Sequence, residues 1–296
     1  MDYFSPVPGL DRPVDFSSSI LLLPQPSLAS LAQLGADLIV TNFRLTRIGF
    51  LGLRDHVPAV SGLDRLSSTD ATDGLAYSVE VYQTPSRSLT VVLPRTPVIR
   101  ARRPHHLAAM RRFIKEGQFK EVLIVAGVDA ALRGDDGLNS VSPLRHFHLP
   151  SSPPSTLALS SVSSPYATPA SSTTSASASL PLMPHGGITR KLLETLATSS
   201  TTDSSAMPPT STLLIYTFEA TEPTTACFLA DALVTLLNDE LKELEQGIER
   251  LRIDEVNGAG GTGETQAGVK WTIPESWESG LMGPELAAAN RAELFG

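Results

Sequence analysis

Apolar residues come in short unbroken runs separated by polar turns. SSSILLLP (Ser17 to Pro24) is closed by a proline, and RIGFLGL (Arg47 to Leu53) is a second run of the same kind. Continuous runs of this length predict strands buried on both faces. Between them, SLASLAQLGADLIVTNF places Leu28, Leu31, Leu34, Leu38 and Ile39 at the three- and four-residue spacing of a core-facing helix, with Ser27 at its N-cap. Strand, helix, strand is the unit of a parallel sheet.

YSVEVYQTPSR and SLTVVLPRTPVI alternate apolar and polar positions around Thr84-Pro85-Ser86-Arg87. They predict an antiparallel hairpin attached to that sheet. HHLAAMRRFIKEG follows as a helix with Leu107, Met110, Phe113 and Ile114 inward, and EVLIVAGVD (Glu121 to Asp129) as a buried strand. The pattern then stops. No Asp, Glu, Lys or Arg occurs from His146 through Thr189, and Ser, Thr, Pro and Ala fill 25 of the 30 positions 151–180. Such a stretch buries too little apolar surface to offset its ordering entropy, which predicts a disordered insert at 150–184. Beyond it lie a helix in GGITRKLLETLA, a strand in STLLIYTFEA and a long helix from about Pro223 to Arg252. That helix carries Leu229, Leu233, Leu236, Leu237, Leu241, Leu244, Ile248 and Leu251 in one stripe. The expectation is one three-layer α/β domain over residues 1–283 with a mostly parallel sheet. It is broken by the insert and by a flexible glycine-rich linker at 254–268, and is followed by a tail at 284–296.

Composition narrows the classes. Of 296 residues 41% are hydrophobic and only 18% charged, so the surface is charge-poor. Residues 1–150 hold 16 Lys and Arg against 14 Asp and Glu; residues 151–296 hold 7 against 17. An acidic chain of this kind is a poor general nucleic-acid binder, since phosphate neutralisation needs concentrated basic surface. Cys227 is the only cysteine, which excludes an intrachain disulfide and a thiolate zinc cluster. MDYFSPVPGLDRP has no basic stretch ahead of an apolar run, and the longest apolar stretch, LASLAQLGADLIV, is short for a membrane span and contains Asp37. These features predict a soluble intracellular protein with no membrane partner.

Few motifs carry chemistry. Gly258 to Gly263 spells GxGxxG, but a charged helix precedes it and a polar linker follows, the wrong context for a dinucleotide turn. Gly186-Gly187 precedes a helix and is a candidate anion-binding turn, with an ordinary helix entry as the plainer reading. His105-His106 and His146-Phe147-His148 lack the spacing of a helical metal site. Cys227, in the apolar start of a helix, reads as an inert thiol. RARRPHH with Arg111 and Arg112 is the one basic cluster, either a solvated helix face or a seat for an acidic partner. No nucleophile, base and oxyanion donor converge. Catalytic, cofactor and metal residues are therefore assigned as none, and the expectation is a non-enzyme. The alternative is a nucleoside- or phosphate-ligand enzyme on the same scaffold, using the Gly186-Gly187 turn.

LAQLGADLIVTNFRLTRIGFLGLRDHVPAV, EVYQTPSRSLTVVLPRTPV, FKEVLIVAG, PHGGITRKLLE and WTIPESWESG occur in the order in which they occur in the proteasome assembly chaperone 2 family. The chain resembles that family, in a fungal form, over most of its length outside the insert and the linker. The resemblance implies a Rossmann-like, nucleoside-phosphorylase-like fold and a non-catalytic chaperone without cofactors. It implies pairing with proteasome assembly chaperone 1 and binding of the heterodimer to the α-subunit ring of core-particle precursors. There such a pair promotes ring assembly and prevents off-pathway or premature association. It also gives meaning to Leu294-Phe295-Gly296. Tails of hydrophobic residue, tyrosine and any residue dock between neighbouring α subunits, and Phe295 stands in the tyrosine place without its hydroxyl. An aromatic ring fills such a pocket, and a terminal carboxylate meets a lysine at its mouth.

Overall fold

The structure is a computed structural model. It describes residues 3–10, 13–63, 74–133, 142–150, 152–166, 180–181, 183, 186–198, 207–218, 223–244, 271–274 and 276–277. Its core strand is β8 (Glu121–Asp129), whose neighbours are β2 (Ile20–Pro24) and β11 (Thr210–Thr217), both parallel to it. β7 (Leu89–Pro94) extends the parallel set beyond β2. On one side of this set stand β6 (Val79–Gln83), β3 (Thr46–Leu51) and the short edge β1 (Phe4–Pro6); on the other stand β9 (Leu144–His148) and the two-residue β10 (Ser164–Pro165). Pairing turns antiparallel on both sides, at β7–β6, β6–β3 and β3–β1 and at β11–β9, while the last strand β10 runs parallel to β9. The order is β1-β3-β6-β7-β2-β8-β11-β9-β10. A separate ribbon pairs β4 (Val60–Gly62) with β5 (Leu75–Tyr77).

Helices cover both faces, giving the three layers that the apolar runs predict. Strand alternation divides the core in two. Ile20, Leu22, Leu123, Val125, Leu213 and Ile215 face α1 (Leu31–Asn42) and α4 (Pro223–Leu236). Leu21, Leu23, Val122, Ile124 and Leu214 face α2 (Arg103–Gly117) and α3 (Gly187–Ala197), where Met110, Phe113, Ile114, Leu192, Leu193 and Leu196 meet them. β1 docks on β3 at Gly49, where a Cβ would stand 2.5 Å from the Phe4 ring and 2.6 Å from the Ser5 carbonyl oxygen.

The predicted hairpin forms with register Val81↔Val92. The predicted strand–helix–strand opening is parallel in direction, but β2 and β3 are not neighbours, because that hairpin is laid between them. The predicted long helix is interrupted. After Leu236 a turn at Leu237 closes a tight bond from the Glu240 amide to the Leu237 carbonyl before helix resumes over 238–244. Leu229, Leu233, Leu236, Leu237 and Leu241 of its stripe are buried, while Ile248 and Leu251 lie outside the described residues.

Residues 152–166, part of the stretch expected to be a disordered insert, are packed instead. Leu159 is buried in the first core, and Ser164 and Pro165 pair with Arg145 and His146 of β9. The physical reason is Glu121. Its fully buried carboxylate accepts bonds from the Thr156 amide (2.9 Å), the Thr156 hydroxyl (2.7 Å) and the Ser155 hydroxyl. Hydroxyl-rich sequence here satisfies a buried charge that would otherwise be unpaired. The linker at 254–268 and the tail at 284–296 lie outside the described residues.

Candidate functional site

Both tryptophans of the chain fall between positions 271 and 277, and both are buried in the core under α1 and α4. Asn42, the last residue of α1, makes a reciprocal clamp on Thr272, its Nδ2 donating to the carbonyl (3.0 Å) and its Oδ1 accepting from the amide (2.9 Å). Trp271 packs edge-on against Phe43, and its Nε1 donates to Asp231 of α4 at 2.8 Å. Burial pushes the Asp231 carboxyl up, and the indole bond only partly counters this. Trp277 Nε1 donates to Asp37 Oδ2 of α1 at 3.2 Å. Two indole–carboxylate bonds and a backbone clamp make this segment a strap held by both helices of one layer.

The strap is tied to the sheet by a buried polar chain. Asp37 meets Arg95 Nη2 at 3.2 Å, and Arg95 Nε donates to Glu80 at 2.9 Å. Glu80, fully buried in β6, also accepts from Arg47 (2.6 Å) and from the Tyr82 hydroxyl (3.0 Å). Burial opposes the charge on Arg95, but the carboxylates of Asp37 and Glu80 outweigh it and hold the guanidinium firmly protonated. Charges at this depth persist only when each has its partners.

A second polar cluster sits on the other layer. Gly52 takes a left-handed φ of 55° to start the turn Leu53–Asp55, and a Cβ there would strike the Tyr3 ring at 2.2 Å. The turn delivers Asp55, fully buried, to Arg102 Nε (2.8 Å) and His105 Nδ1 (2.7 Å). Burial would raise its carboxyl, yet the hydrogen bonds from His105 and Arg102 hold it below the usual range. Tyr3 Oη lies 2.9 Å from His106 Nδ1, and the His56 ring stands 5.1 Å from that of His106. Burial first, then His56, pushes His106 down to about 4.

The sequence candidates therefore disperse. His105 serves Asp55, and His106 is a buried ring under Tyr3. His146 bonds Ser163 (2.8 Å) and His148 bonds Ser211 (3.0 Å), side by side in β9. Gly187 opens α3 with a φ of 52°, and Arg190 in its first turn is paired with Glu194. Cys227 is half-buried in α4, its thiol pushed up to about 11 by burial and then by Asp231. Of the basic cluster, Arg102 is held by Asp55 and Arg112 by Glu116 (2.5 Å). Gly258 to Gly263 and Leu294, Phe295 and Gly296 lie outside the described residues. Sequence reading missed Asp37, Asn42, Asp231, Asp55 and Glu80. The pairing of the chain's two tryptophans in WTIPESW was the available signal for the first three.

No protein-family model matches the chain. Its fold resembles that of PbaA of Pyrococcus furiosus, described as an archaeal homolog of proteasome-assembly chaperone, which superposes with a TM-score of 0.52 at 14% identity, covering 86% of this chain and 92% of that one. That likeness is one of fold. Sequence is more specific. Proteasome assembly chaperone 2 of Nematostella vectensis is 31% identical over 137 residues, 45% of this chain and 55% of that protein. The protein of the same name from Homo sapiens is 26% identical over 145 residues, 49% of this chain and 54% of its own. The chain is thus similar to proteasome assembly chaperone 2 proteins, and spans about half the length of the curated relatives it matches.

Proposed function

We propose that this chain is a non-catalytic chaperone of proteasome core-particle assembly, acting in the cytoplasm and the nucleus. It pairs with proteasome assembly chaperone 1, and the pair binds the α-subunit ring of core-particle precursors, promotes ring assembly and blocks off-pathway or premature association. The observation that carries this reading is the sequence similarity to proteins named proteasome assembly chaperone 2. The fold likeness to an archaeal assembly-chaperone homologue supports it independently.

The strap supports the mechanical part of the reading. A docking peptide gains effective concentration when its root is fixed, because the second binding event becomes intramolecular. Trp277 is such a root: it is buried and bonded to Asp37. In this proposal the chain beyond it carries Leu294, Phe295 and Gly296 to a pocket between α subunits. Phe295 supplies about 1.5–3 kcal/mol of apolar burial there. The test is binding of the pair to α-ring precursors with Phe295→Ala, or with 294–296 removed. The expected result is weakening by about tenfold or more, with the pair intact. Unchanged binding after removing this tail and the partner's tail together would refute the docking role.

A further inference from the structure

Six large hydrophobic side chains are exposed among the described residues, and four of them come from one region: Leu53, Val57, Val60 and Leu75. They are brought together by backbone and side-chain bonds. The Ser78 hydroxyl donates to the Val57 carbonyl and accepts from the Ala59 amide, which presses the 57–60 segment onto the start of β6. In the β4–β5 ribbon Val60 stands opposite Tyr77 and Gly62 opposite Leu75, so Val60, Leu75 and Tyr77 share one face, while Ala76 points inward and is buried. Pro58 and Ala59 continue the exposed apolar surface. Val60 is 61% exposed and Leu75 49%, and they stand together on one ribbon face, where scattered single residues would need no explanation.

Two further observations say what covers this face. It is rimmed by cations: Arg54 adjoins Leu53, and Arg100 and Arg103 flank Arg102, which is tied to the same turn through Asp55. Arg54, Arg100 and Arg103 are exposed, and among the described residues none of the three is in an ion pair. Beside the turn lies a cavity of about 330 Å³ whose lining includes Tyr3, Ala108 and Phe113 together with the polar Arg54, His105, Arg112 and Glu116. An apolar centre, a polar rim and an adjoining socket for an anchor side chain are the anatomy of a protein interface. Three separated arginines are too sparse to neutralise a phosphate backbone.

We propose that Leu53 to Val60 and the β4–β5 ribbon form the heterodimer face. The occupant is the assembly-chaperone partner, whose contacting surface is apolar, is edged by carboxylates opposite Arg54, Arg100 and Arg103, and carries one aromatic or aliphatic anchor for the adjoining cavity. This rests on the pairing put forward under the proposed function. A standard interface takes about 800 Å² from each side, so the patch is its centre and not its whole extent.

The test uses the full chain co-expressed with proteasome assembly chaperone 1. Val60→Asp with Leu75→Asp, at two exposed positions, weakens pairing by about tenfold or more while leaving the melting temperature of the lone chain within about 2 °C. In parallel, a photo-crosslinking amino acid at Val60 or Leu75 captures the partner, and the same probe at Phe228, exposed on α4, does not. Capture from Phe228 but not from Val60 or Leu75, or capture of a second copy of this chain, overturns the assignment. So does undiminished pairing of the double variant. If the unsubstituted chains fail to pair at all, the pairing itself is wrong and the face falls with it, an outcome distinct from intact pairing through another surface.

Discussion

Replacing Trp277 with Phe tests whether the strap is a structural anchor. The substitution keeps an aromatic ring in the core but removes the N–H that Asp37 Oδ2 accepts at 3.2 Å. Asp37 is 5% exposed, so solvent cannot readily replace the lost donor. A hydrogen bond to a buried charged group contributes about 1.5–3 kcal/mol. The smaller ring forfeits further contact, on the order of 1 kcal/mol. At roughly 2–4 °C per kcal/mol for a domain of this size, the expected loss in melting temperature is about 5–15 °C. A double-mutant cycle with Asp37→Ala, which removes the acceptor, separates the bond from the packing, and should return a coupling of about 1 kcal/mol or more. Limited proteolysis adds a local readout, since a loosened strap is cut near 271–277 before the sheet opens. A melting temperature within about 1 °C of the parent, together with unchanged cleavage, would refute the anchor.

Other outcomes follow from the same geometry. Glu80→Ala leaves Arg47 and Arg95 facing an emptied buried site, and should cost about 3–5 kcal/mol in denaturant unfolding; a loss under about 1 kcal/mol contradicts the buried-chain reading. His106, pushed down to about 4, stays neutral in the fold while an unfolded imidazole near 6.5 takes a proton; stability therefore falls as pH drops from about 6.5 towards 4, by about 2 kcal/mol at pH 5. His106→Gln should flatten that slope in melts compared at pH 7.5 and 5, and an unaltered slope speaks against it. Gly52→Ala forces a side chain into a left-handed position and into Tyr3, with an expected loss of about 2 kcal/mol or more and release of the Tyr3 arm to proteolysis. Glu121→Gln weakens its bonds to Ser155 and Thr156, and hydrogen exchange should rise first across 152–166.

What the sequence disclosed, and what it hid, follows from the range of each interaction. Buried strands such as ILLLP and EVLIVAGVD were legible because both faces are covered and the run is apolar, in the second case between its terminal Glu121 and Asp129. The helices of both layers were legible from their spacing. The insertion of β6 and β7 between β2 and β3 was not, because periodicity records which face is buried but not which strand is adjacent. The packing of 152–166 was hidden for a different reason. Ser155 and Thr156 look like linker until the one charge they satisfy, Glu121, is known to be buried 34 and 35 residues away in the chain. The role of Asp37 was hidden in the same way. In the sequence it is only a charge that argues against a membrane span, yet it is the acceptor for a tryptophan 240 residues later.

The central claim is a chaperone that engages immature proteasomes, and its most direct test is affinity isolation of the full chain co-expressed with proteasome assembly chaperone 1 in cells assembling their own proteasomes. Mass spectrometry then resolves what is bound. The account predicts the partner in equal amount, together with α subunits from core-particle precursors, and few mature particles. Recovery of the chain without the partner or any α subunit would contradict it.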